Sequence, residues 1–242
     1  MDKIRLSKLM FQRGICSRRE ADNWIEQGWV RVNGDIISTL GTRVDPDSAI
    51  SIENAARQQQ RNLITVLLNK PVGLVSGQPE DGYSTASSLI VKSNHYRKDK
   101  VAQRRGANHR NLAPAGRLDI DSQGLLVLTQ DGRVAKRLIG PESRIEKEYL
   151  VRVTGRVDAV TLNRLRHGLK LDDRVLRPAR VREIEPNLLK VILVEGRKRQ
   201  IRRMCELVGL DVTGLKRVRI GQVRLAGLPK GQWRYLGEDE KF

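Results

Sequence analysis

The stretch GRLDIDSQGLLVLT, residues Gly116–Thr129, places two carboxylates directly ahead of a short apolar run. The run itself, Leu125–Thr129, follows a glycine and polar residues, which predicts a buried β-strand. Asp121 is typical of a turn, because aspartate side chains readily bond to nearby backbone amides. Asp119 is expected at the mouth of the strand, where the arginine two residues before it favours the ionised carboxylate. An ionised carboxylate in that position can serve as a nucleophile.

The chain on both sides of this strand mixes further strands with short helices. KEYLVRVTG (147–155) alternates apolar and polar residues as a half-buried strand does, whereas RQIRRMCELVG (199–209) has the apolar spacing of a helix. The polar stretch 92–111 lacks any apolar period and predicts a loop. Strands and helices follow one another without strict βαβ repetition. The predicted fold class is therefore α+β, with a mixed or antiparallel sheet.

The charge balance narrows the partners of the chain. Its 242 residues carry 46 Lys and Arg against 28 Asp and Glu, a formal net charge of +18. Such a surplus attracts polyanions, so nucleic acid is the first expected partner and an anionic membrane surface the second. The membrane interpretation is weak, because no apolar run approaches the roughly 18 residues that span a bilayer. The charged start of the chain also lacks the apolar core of a signal peptide.

The cysteines and histidines give no sign of a cross-linked or metal-binding protein. Cys16 and Cys205 lie far apart, which fits a reducing compartment rather than a disulfide framework. The three histidines and two cysteines show no zinc-ligand spacing. We therefore expect a cytoplasmic protein without a metal.

The first sixty residues predict a compact module of two helices that lead into a hairpin. Ser17 and Glu20 have the spacing of a capping box at a helix start, and Gly28 is placed to end that helix. Asn33-Gly34 between two short apolar runs is the preferred sequence of a type I′ hairpin turn. The polar segment 55–62 predicts a linker. Two domains are thus expected, residues 1–60 and 61–242.

Basic residues concentrate in two places. Several lie on the two short N-terminal helices, where a phosphate-binding surface is favoured over a merely solvated face because the whole chain is so basic. Others crowd the start of the helix in EGRKRQIRRM (195–204), where cations oppose the helix dipole unless an anion offsets them. An anion site is favoured there. The alternative is that these arginines pair with acidic residues elsewhere in the chain.

Together these segments resemble a known family. RLSKLMFQRGICSRREADNWIEQGWVRVNG (5–34) resembles the S4 RNA-binding module. NKPVG (69–73), GRLDIDSQGLLVLT, KEYLV (147–151) and GRKRQIRRM (196–204) resemble the pseudouridine synthase superfamily, specifically its RsuA/RluB/RluE/RluF group. The resemblance covers nearly the whole chain, and the C-terminal segment is most similar to the RluF type. It implies an S4-type helix-helix-hairpin domain followed by a catalytic domain.

The resemblance also implies an activity. Members of the family break the N1–C1′ bond of a uridine, turn the base and rejoin it through C5, without a cofactor. By motif position Asp119 is the nucleophile, Tyr149 packs against the target base and takes part in proton handling, and Arg202 pairs with the aspartate. The RluF type implies 23S ribosomal RNA, free or in a pre-ribosomal particle, as the partner of an enzyme expected to be a monomer. The residues expected to contact RNA are Arg5, Lys8, Ser17, Arg18, Arg19, Asn33, Arg117, Arg197, Lys198, Arg199 and Arg203.

Three other functions remain open at this point. The substrate could be 16S ribosomal RNA, or the protein could be a non-catalytic S4-domain factor for ribosome assembly. The third is a glycosidase that uses Asp119 and Asp121 as a carboxylate pair. Such enzymes hold their carboxyl groups roughly 5–9.5 Å apart on opposite sides of the bond, which residues two apart in one turn rarely achieve.

Overall fold

The computed structural model describes residues 2–79, 82–99, 101 and 108–242. The first part of the chain contains β1 (Ile4–Arg5), α1 (Leu6–Gln12), α2 (Arg18–Glu26), β2 (Val30–Val32), β3 (Asp35–Ile37), β4 (Arg43–Val44), β5 (Ile50–Ile52) and α3 (Asn54–Arg61). The second part contains β6 (Thr65–Lys70), β7 (Ala113–Pro114), β8 (Gln123–Thr129), α4 (Gly132–Ile139), β9 (Lys147–Thr154), α5 (Ala159–Arg166), β10 (Lys170–Leu171), β11 (Arg174–Val175), β12 (Arg180–Glu185), β13 (Leu188–Leu193), α6 (Gln200–Glu206), β14 (Asp211–Ile220), β15 (Val223–Arg224) and β16 (Trp233–Tyr235). The α+β class predicted from the sequence is confirmed.

The N-terminal module, residues 2–61, has the predicted helix-helix-hairpin order. The hydroxyl of Ser17 accepts from the amide of Glu20, whose carboxylate accepts from the amide of Ser17, so the capping box is formed. Asn33 and Gly34 both have positive φ, 52° and 98°, as a type I′ turn requires. The hairpin strands β2 and β3 are joined by β5 in a three-stranded sheet that covers the helices.

The predicted linker 55–62 is wrong, because most of it is helix α3. This helix has almost no apolar surface, and its only buried residue is Ala56. It is held by polar contacts to the module: the indole of Trp24 donates to Gln59 Oε1 at 2.7 Å, and Gln60 Nε2 donates to the carbonyl of Ile15 at 2.8 Å. These partners are distant in sequence, so the polar composition alone did not reveal the helix.

A mixed sheet forms the centre of the second part. Among the described residues it has nine strands, in the order β12-β13-β9-β14-β8-β6-β16, with β15 beside β14 and β7 beside β8. The neighbours are antiparallel except β14 and β8, which run parallel. In this register Arg217 of β14 lies beside Gly124 on one side and Tyr149 on the other. Three residues that are far apart in sequence therefore form a row across the middle of the sheet.

Gly124 permits this row to form. Its φ is +107°, and a Cβ atom there would lie 2.2 Å from the carbonyl oxygen of Arg217. No other residue fits that approach without moving the backbone of β14. The glycine of the DSQGLL segment is thus required for the parallel pairing at the centre of the sheet.

Both faces of strand β8 are buried, as its unbroken apolar run predicts. Leu126 and Leu128 belong to the cluster on one face of the sheet, together with Tyr149. Leu125 and Val127 belong to the cluster on the opposite face. Helices α5 and α6 cover the first face, and α4 packs on the second. The chain segment that precedes β8 is therefore attached to a strand that is packed on both faces.

Helix α4 also contacts the N-terminal module. The ammonium of Lys136 donates to the carbonyl oxygens of Phe11 and Gln12, at 2.7 and 3.0 Å, and lies 4.7 Å from the centroid of the Phe11 ring. It thereby satisfies carbonyl groups at the end of α1. At the start of α4, a Cβ atom on Gly132 would lie 2.2 Å from Cβ of Ser17, so a glycine is needed for the contact.

The predicted loop 92–111 is partly described. A short 3₁₀ turn spans Lys92–Asn94, and His95 stacks on Trp233 with 4.4 Å between ring centroids. Near the other end, His109 Nε2 lies 2.8 Å from the hydroxyl of Tyr235. Residue 100 and residues 102–107 of this loop lie outside the described residues. In the part of the chain that is described, no helix has the length and apolarity needed to cross a membrane.

Candidate active site

A cleft of about 640 Å³ opens over the middle of the main sheet. Residues of β9, β14 and the segment before β8 form its floor. One wall is the end of α4 and the turn after it, and the other is the segment that leads into α6. The main lining residues are Arg117, Leu118, Asp119, Leu138, Ile139, Ser143, Lys147, Tyr149, Arg177, Glu195, Arg197, Lys198, Arg199, Leu215 and Arg217. A cleft of this size can hold a nucleotide.

The aspartate loop, residues 118–122, presents Asp119 to the cleft. Its backbone makes a turn in which the amide of Ser122 donates to the carbonyl of Asp119 at 3.0 Å. Asp119 is partly buried, and none of the ion pairs among the described residues includes its carboxylate. The prediction that Asp119 lies at the mouth of the strand is confirmed by this position.

Lys70 holds the aspartate loop from behind. Its side chain is completely buried, and its ammonium donates to the carbonyl oxygens of Pro71, Asp119 and Ser122 at 3.0, 3.1 and 2.9 Å. Burial lowers the pKa of Lys70 to about 8, against the opposing effect of the charges of Asp119 and Asp121. Three donors meet three carbonyls, so the polar groups of this buried cation are satisfied.

Two further contacts fix the loop. The hydroxyl of Ser76 donates to the carbonyl of Leu118 at 2.7 Å and accepts from its amide at 2.9 Å. The amide of Gly73 donates to the carbonyl of Ile120 at 2.8 Å. Lys70 and Gly73 of the NKPVG segment, together with Ser76 just after it, therefore supply donors that hold the GRLDID segment. A carboxylate on a backbone fixed in this way has little conformational freedom to lose on reaction.

The resemblance implied that Arg202 pairs with Asp119, but in the structure Arg202 pairs with Asp121. Its Nη2 donates to the carbonyl of Asp121 at 3.0 Å, and its Nε lies 3.2 Å from that residue's carboxylate. A third contact runs from Nη1 to the carbonyl of Val212. The turn directs Asp121 toward the start of α6 and Asp119 into the cleft, which explains the exchange of partners. Arg202 therefore contacts the loop next to Asp119 rather than its carboxylate.

Asp121 is an ion-paired anchor of the loop. Burial opposes its ionisation, but a hydrogen bond from Arg199 and the charge of Arg202 outweigh that effect and hold the pKa of Asp121 below its ordinary value. Arg199 Nη1 lies 3.0 Å from the carboxylate. In a glycosidase both carboxyl groups of the catalytic pair must face the substrate. The carboxylate of Asp121 faces Arg199 and Arg202 instead, which argues against the glycosidase hypothesis.

Tyr149 and Arg217 lie side by side on the floor of the cleft. Both are buried, with exposures of 8% and 3%, and the guanidinium carbon of Arg217 is 6.0 Å from the centroid of the Tyr149 ring. Arg217 donates from Nε to the carbonyl of Leu125 and from Nη1 to that of Arg117, while its Nη2 has no partner among the described residues. Its positive charge faces no carboxylate within 4.0 Å in the described chain.

Sequence reasoning missed three of these residues, Lys70, Ser76 and Arg217. A signal existed for Lys70, because this lysine directly continues the apolar strand VLLNK. A lysine that is buried with such a strand needs polar partners, and that need marks it as a candidate. Nothing local marks Arg217, which lies in a strand rich in basic residues. Its place depends on the parallel pairing of β14 with β8, which no short stretch of sequence contains.

The residues expected to contact RNA lie in two groups. On the N-terminal module Arg5, Lys8, Arg18, Arg19 and Asn33 are exposed, whereas Ser17 is partly buried against Gly132 of α4. Ser17 therefore caps a helix and faces the second part of the chain instead of solvent. Around the cleft, Arg117, Lys198 and Arg199 are exposed at the rim, and Arg197 is partly buried.

The arginines before and within α6 are paired, which corrects the preference for an anion site at this helix. Arg199 and Arg202 contact Asp121, and Arg203 contacts Asp172 with distances of 3.0 and 2.6 Å. Arg197 donates to the carbonyls of Leu171 and Val175. Arg197 Nε also lies 4.0 Å from Glu195 Oε2, so the alternative of acidic partners in the chain holds for all four of these arginines. Within the described residues, Lys198 has no such partner.

Comparison with known proteins decides the family. The model of the RNA pseudouridylate synthase family matches residues 64–207, and the model of the S4 domain matches residues 4–50. The chain belongs to the RNA pseudouridine synthase family. This pseudouridine synthase is 37% identical over 239 residues to the dual-specificity RNA pseudouridine synthase RluF of Escherichia coli K12. The match covers 98% of the chain and 77% of that relative.

Two further matches extend over nearly the full length of this pseudouridine synthase. An uncharacterized RNA pseudouridine synthase of Aquifex aeolicus is 34% identical, with coverage of 99% of the chain and 93% of the relative. A crystal structure of a pseudouridylate synthase superposes with a TM-score of 0.65 and 26% identity, over 97% and 96% of the two chains. The enzyme is thus an isomerase of the RluF type with an N-terminal S4 domain. The hypothesis of a non-catalytic S4-domain protein is wrong.

Proposed function

We propose that this enzyme converts a uridine of 23S ribosomal RNA to pseudouridine, with Asp119 as its nucleophile. The observation that carries the proposal is the aspartate loop: a partly buried carboxylate stands in a cleft of nucleotide size on a backbone held by Lys70, Ser76 and Gly73. The relatives are named RNA pseudouridine synthases, which supports RNA as the substrate, and the choice of ribosomal RNA follows from the resemblance of the C-terminal segment to the RluF type. We expect a monomer that acts in the cytoplasm, where this RNA is made.

The roles of the floor residues follow from their positions. Asp119 acts at the ribose, either by attack on C1′ or by taking a proton from the sugar, and in both cases the N1–C1′ bond breaks. Tyr149 supports the detached base while it turns, because its ring lies in the floor of the cleft. C5 then joins C1′ as the bond between Asp119 and C1′ breaks or, on the second route, as the proton returns to the sugar. C5 loses its proton and N1 gains one. Arg202 acts through Asp121, as a positioning residue for the loop that carries the nucleophile.

In this proposal the two parts of the chain have different roles, RNA binding and catalysis. Residues 1–60 bind the folded RNA through phosphate contacts, and residues 61–242 hold and isomerise the uridine. A paired uridine must leave its stack to reach the cleft, which costs a few kcal/mol. Aromatic residues are only 4% of the chain, so general stacking on protein rings contributes little affinity. Phosphate contacts by basic residues provide the attraction instead.

Mapping pseudouridine in all stable RNAs tests the substrate assignment. We expect a strain without this protein to lose pseudouridine at one or a few positions of 23S RNA, and to regain them when the wild-type gene is supplied. The gene that carries Asp119→Asn serves as the control and restores nothing. A loss confined to 16S RNA or transfer RNA would contradict the proposal of a 23S substrate while leaving the enzyme class intact.

Exposed cations on the N-terminal module should set the salt dependence of RNA binding. Replacing Lys8, Arg18 and Arg19 together by alanine removes three phosphate contacts, and each contact contributes about 0.7–0.9 to the slope of log K against log salt. We therefore expect the slope to fall by about 2, measured by titration of labelled RNA between 50 and 200 mM salt (roughly the range over which such slopes are read). Arg31→Ala is the control, because its guanidinium is paired with Glu53. An unchanged slope in the triple variant would remove this surface from the binding site.

A further inference from the structure

The floor of the cleft contains two cations that have no acidic partner among the residues that the structure describes. Lys147 is partly buried, and the one hydrogen bond of its ammonium runs to the carbonyl of Ile145 at 3.2 Å. Arg217 is buried, and its hydrogen bonds within the described part of the chain go to two carbonyls. Within 4.0 Å of either side chain the described residues offer no carboxylate. Glu195, the other acid of the cleft, is already engaged by Gln200 and the amide of Arg177.

Such a surplus of buried positive charge costs folding energy unless something offsets it. The pKa of Lys147 is lowered, first by burial and then by the charge of Arg217, which is the behaviour of a cation without a counter-charge. The ammonium has three N–H groups and one protein acceptor, so two donors remain for a molecule in the cleft. The site is therefore prepared for negative charge that arrives with, or develops on, the substrate.

The position of Lys147 indicates whether it would meet the negative charge of the base or that of the RNA phosphates. Lys147 and Tyr149 are two residues apart on strand β9, so their side chains point to the same face and start about 7 Å apart. Lys147 thus lines the floor of the cleft on the same face as the Tyr149 ring, which supports the base in the proposed function. Exposed cations at the rim, such as Arg117, Arg177 and Lys198, are better placed for the phosphates.

We propose that Lys147, reinforced by Arg217, is a catalytic residue that stabilises the uracil anion released when the N1–C1′ bond breaks. When that bond breaks, its electron pair stays on N1 and the charge spreads to the carbonyl oxygens of the base. The ammonium donates a hydrogen bond to one of these oxygens and keeps its proton. This holds whether Asp119 attacks C1′ or deprotonates the sugar, because the base departs as an anion in both routes. The inference rests on the proposed roles of Asp119 and Tyr149.

A better leaving group should reduce the need for Lys147. Fluorine at C5 withdraws electrons, so 5-fluorouracil departs as an anion more readily than uracil does. We compare Lys147→Met with the wild-type enzyme in single-turnover reactions on two RNAs that carry uridine or 5-fluorouridine at the target position, and measure consumption of that nucleotide. The variant should lose about 10²-fold on uridine, the effect of removing one preorganised donor. On 5-fluorouridine it should lose less than about 10-fold, because less charge stabilisation is required.

The controls separate this role from a structural one. Lys190→Met makes the same change on the adjacent strand β13, where the ammonium pairs with Glu148 at 2.8 Å away from the cleft, and we expect both rates to stay near the wild-type values. Lys147→Arg keeps the charge and should recover a large part of the uridine rate. If Lys147→Met does not fold, Lys147→Gln, which keeps a donor for the Ile145 carbonyl, carries the same expectation.

Equal losses on the two RNAs would overturn the proposal, since a distorted cleft slows both reactions alike. A loss that appears only as weaker RNA binding would overturn it too, and would assign Lys147 to a phosphate. Failure of the proposed function is a different result: Asp119→Asn would then remain active on uridine, whatever the ratio measured for Lys147→Met.

Discussion

Asp119→Asn is expected to lower the single-turnover rate of isomerisation by at least about 10⁴-fold, the scale of removing a catalytic nucleophile. The amide is neutral, so it can neither attack C1′ nor take a proton from the ribose. The loop itself should not change, because Lys70 and Ser122 bind the backbone carbonyl of residue 119 and not its side chain. RNA affinity should therefore stay within about two-fold of the wild-type value, as the phosphate contacts are untouched.

The measurement follows pseudouridine formation on a transcript of the target RNA, with binding measured on the same preparation. Asp121→Asn is the matched control: it makes the same change two residues further along the loop, in a carboxylate that is 45% exposed and paired with arginines. The contacts of Lys70, Ser76 and Gly73 to the loop backbone remain in that variant, so its rate should fall by no more than about 10-fold. A substantial rate for Asp119→Asn would remove this residue from the chemistry.

Lys70→Met is expected to lower the free energy of unfolding by about 3–5 kcal/mol, because it removes the hydrogen bonds of a buried charged group and leaves backbone acceptors unsatisfied. Methionine fills the volume but leaves the carbonyls of Pro71 and Ser122 without this donor and that of Asp119 with the Ser122 amide as its remaining donor. Unsatisfied buried carbonyls account for a large share of that loss. The aspartate loop should move, and the rate of isomerisation should fall with it.

Chemical denaturation of Lys70→Met and of the wild-type enzyme measures the change in stability. Lys230→Met provides the comparison, because Lys230 is exposed and the substitution should alter stability by less than about 0.5 kcal/mol. The residual activity of Lys70→Met is measured below its unfolding transition, so that loop displacement and unfolding are distinguished. A variant as stable and as active as the wild type would contradict the role assigned to this lysine.

Local signals in the sequence were sufficient for the elements that depend on local interactions. The capping box at Ser17, the hairpin turn at Asn33-Gly34 and the buried strand β8 each follow from a few adjacent residues. Helix α3 was missed for the converse reason. Its stability comes from contacts of Gln59 and Gln60 with distant parts of the module, and composition does not encode such contacts.

The same distinction applies to the candidate site. Motif position indicated Asp119 and Tyr149, and the structure brings both to one cleft. The partner of Arg202 was assigned incorrectly, because which of two nearby carboxylates a guanidinium meets depends on how the turn directs each side chain. Arg217 and Lys70 were absent from the expected site. Their importance arises from strand register and from carbonyl groups, and neither is visible in the residue letters.

The parallel pairing of β8 with β14 has a consequence for the newly made protein. The hydrogen bond from Arg217 to the carbonyl of Leu125 joins residues 92 apart in the chain, and the cleft floor needs both strands. Contacts of such long range form late in folding. During translation Asp119 leaves the ribosome well before β14, the strand that completes the cleft floor around it. The growing polypeptide therefore lacks a complete cleft until β14 (Asp211–Ile220) has emerged and paired with β8.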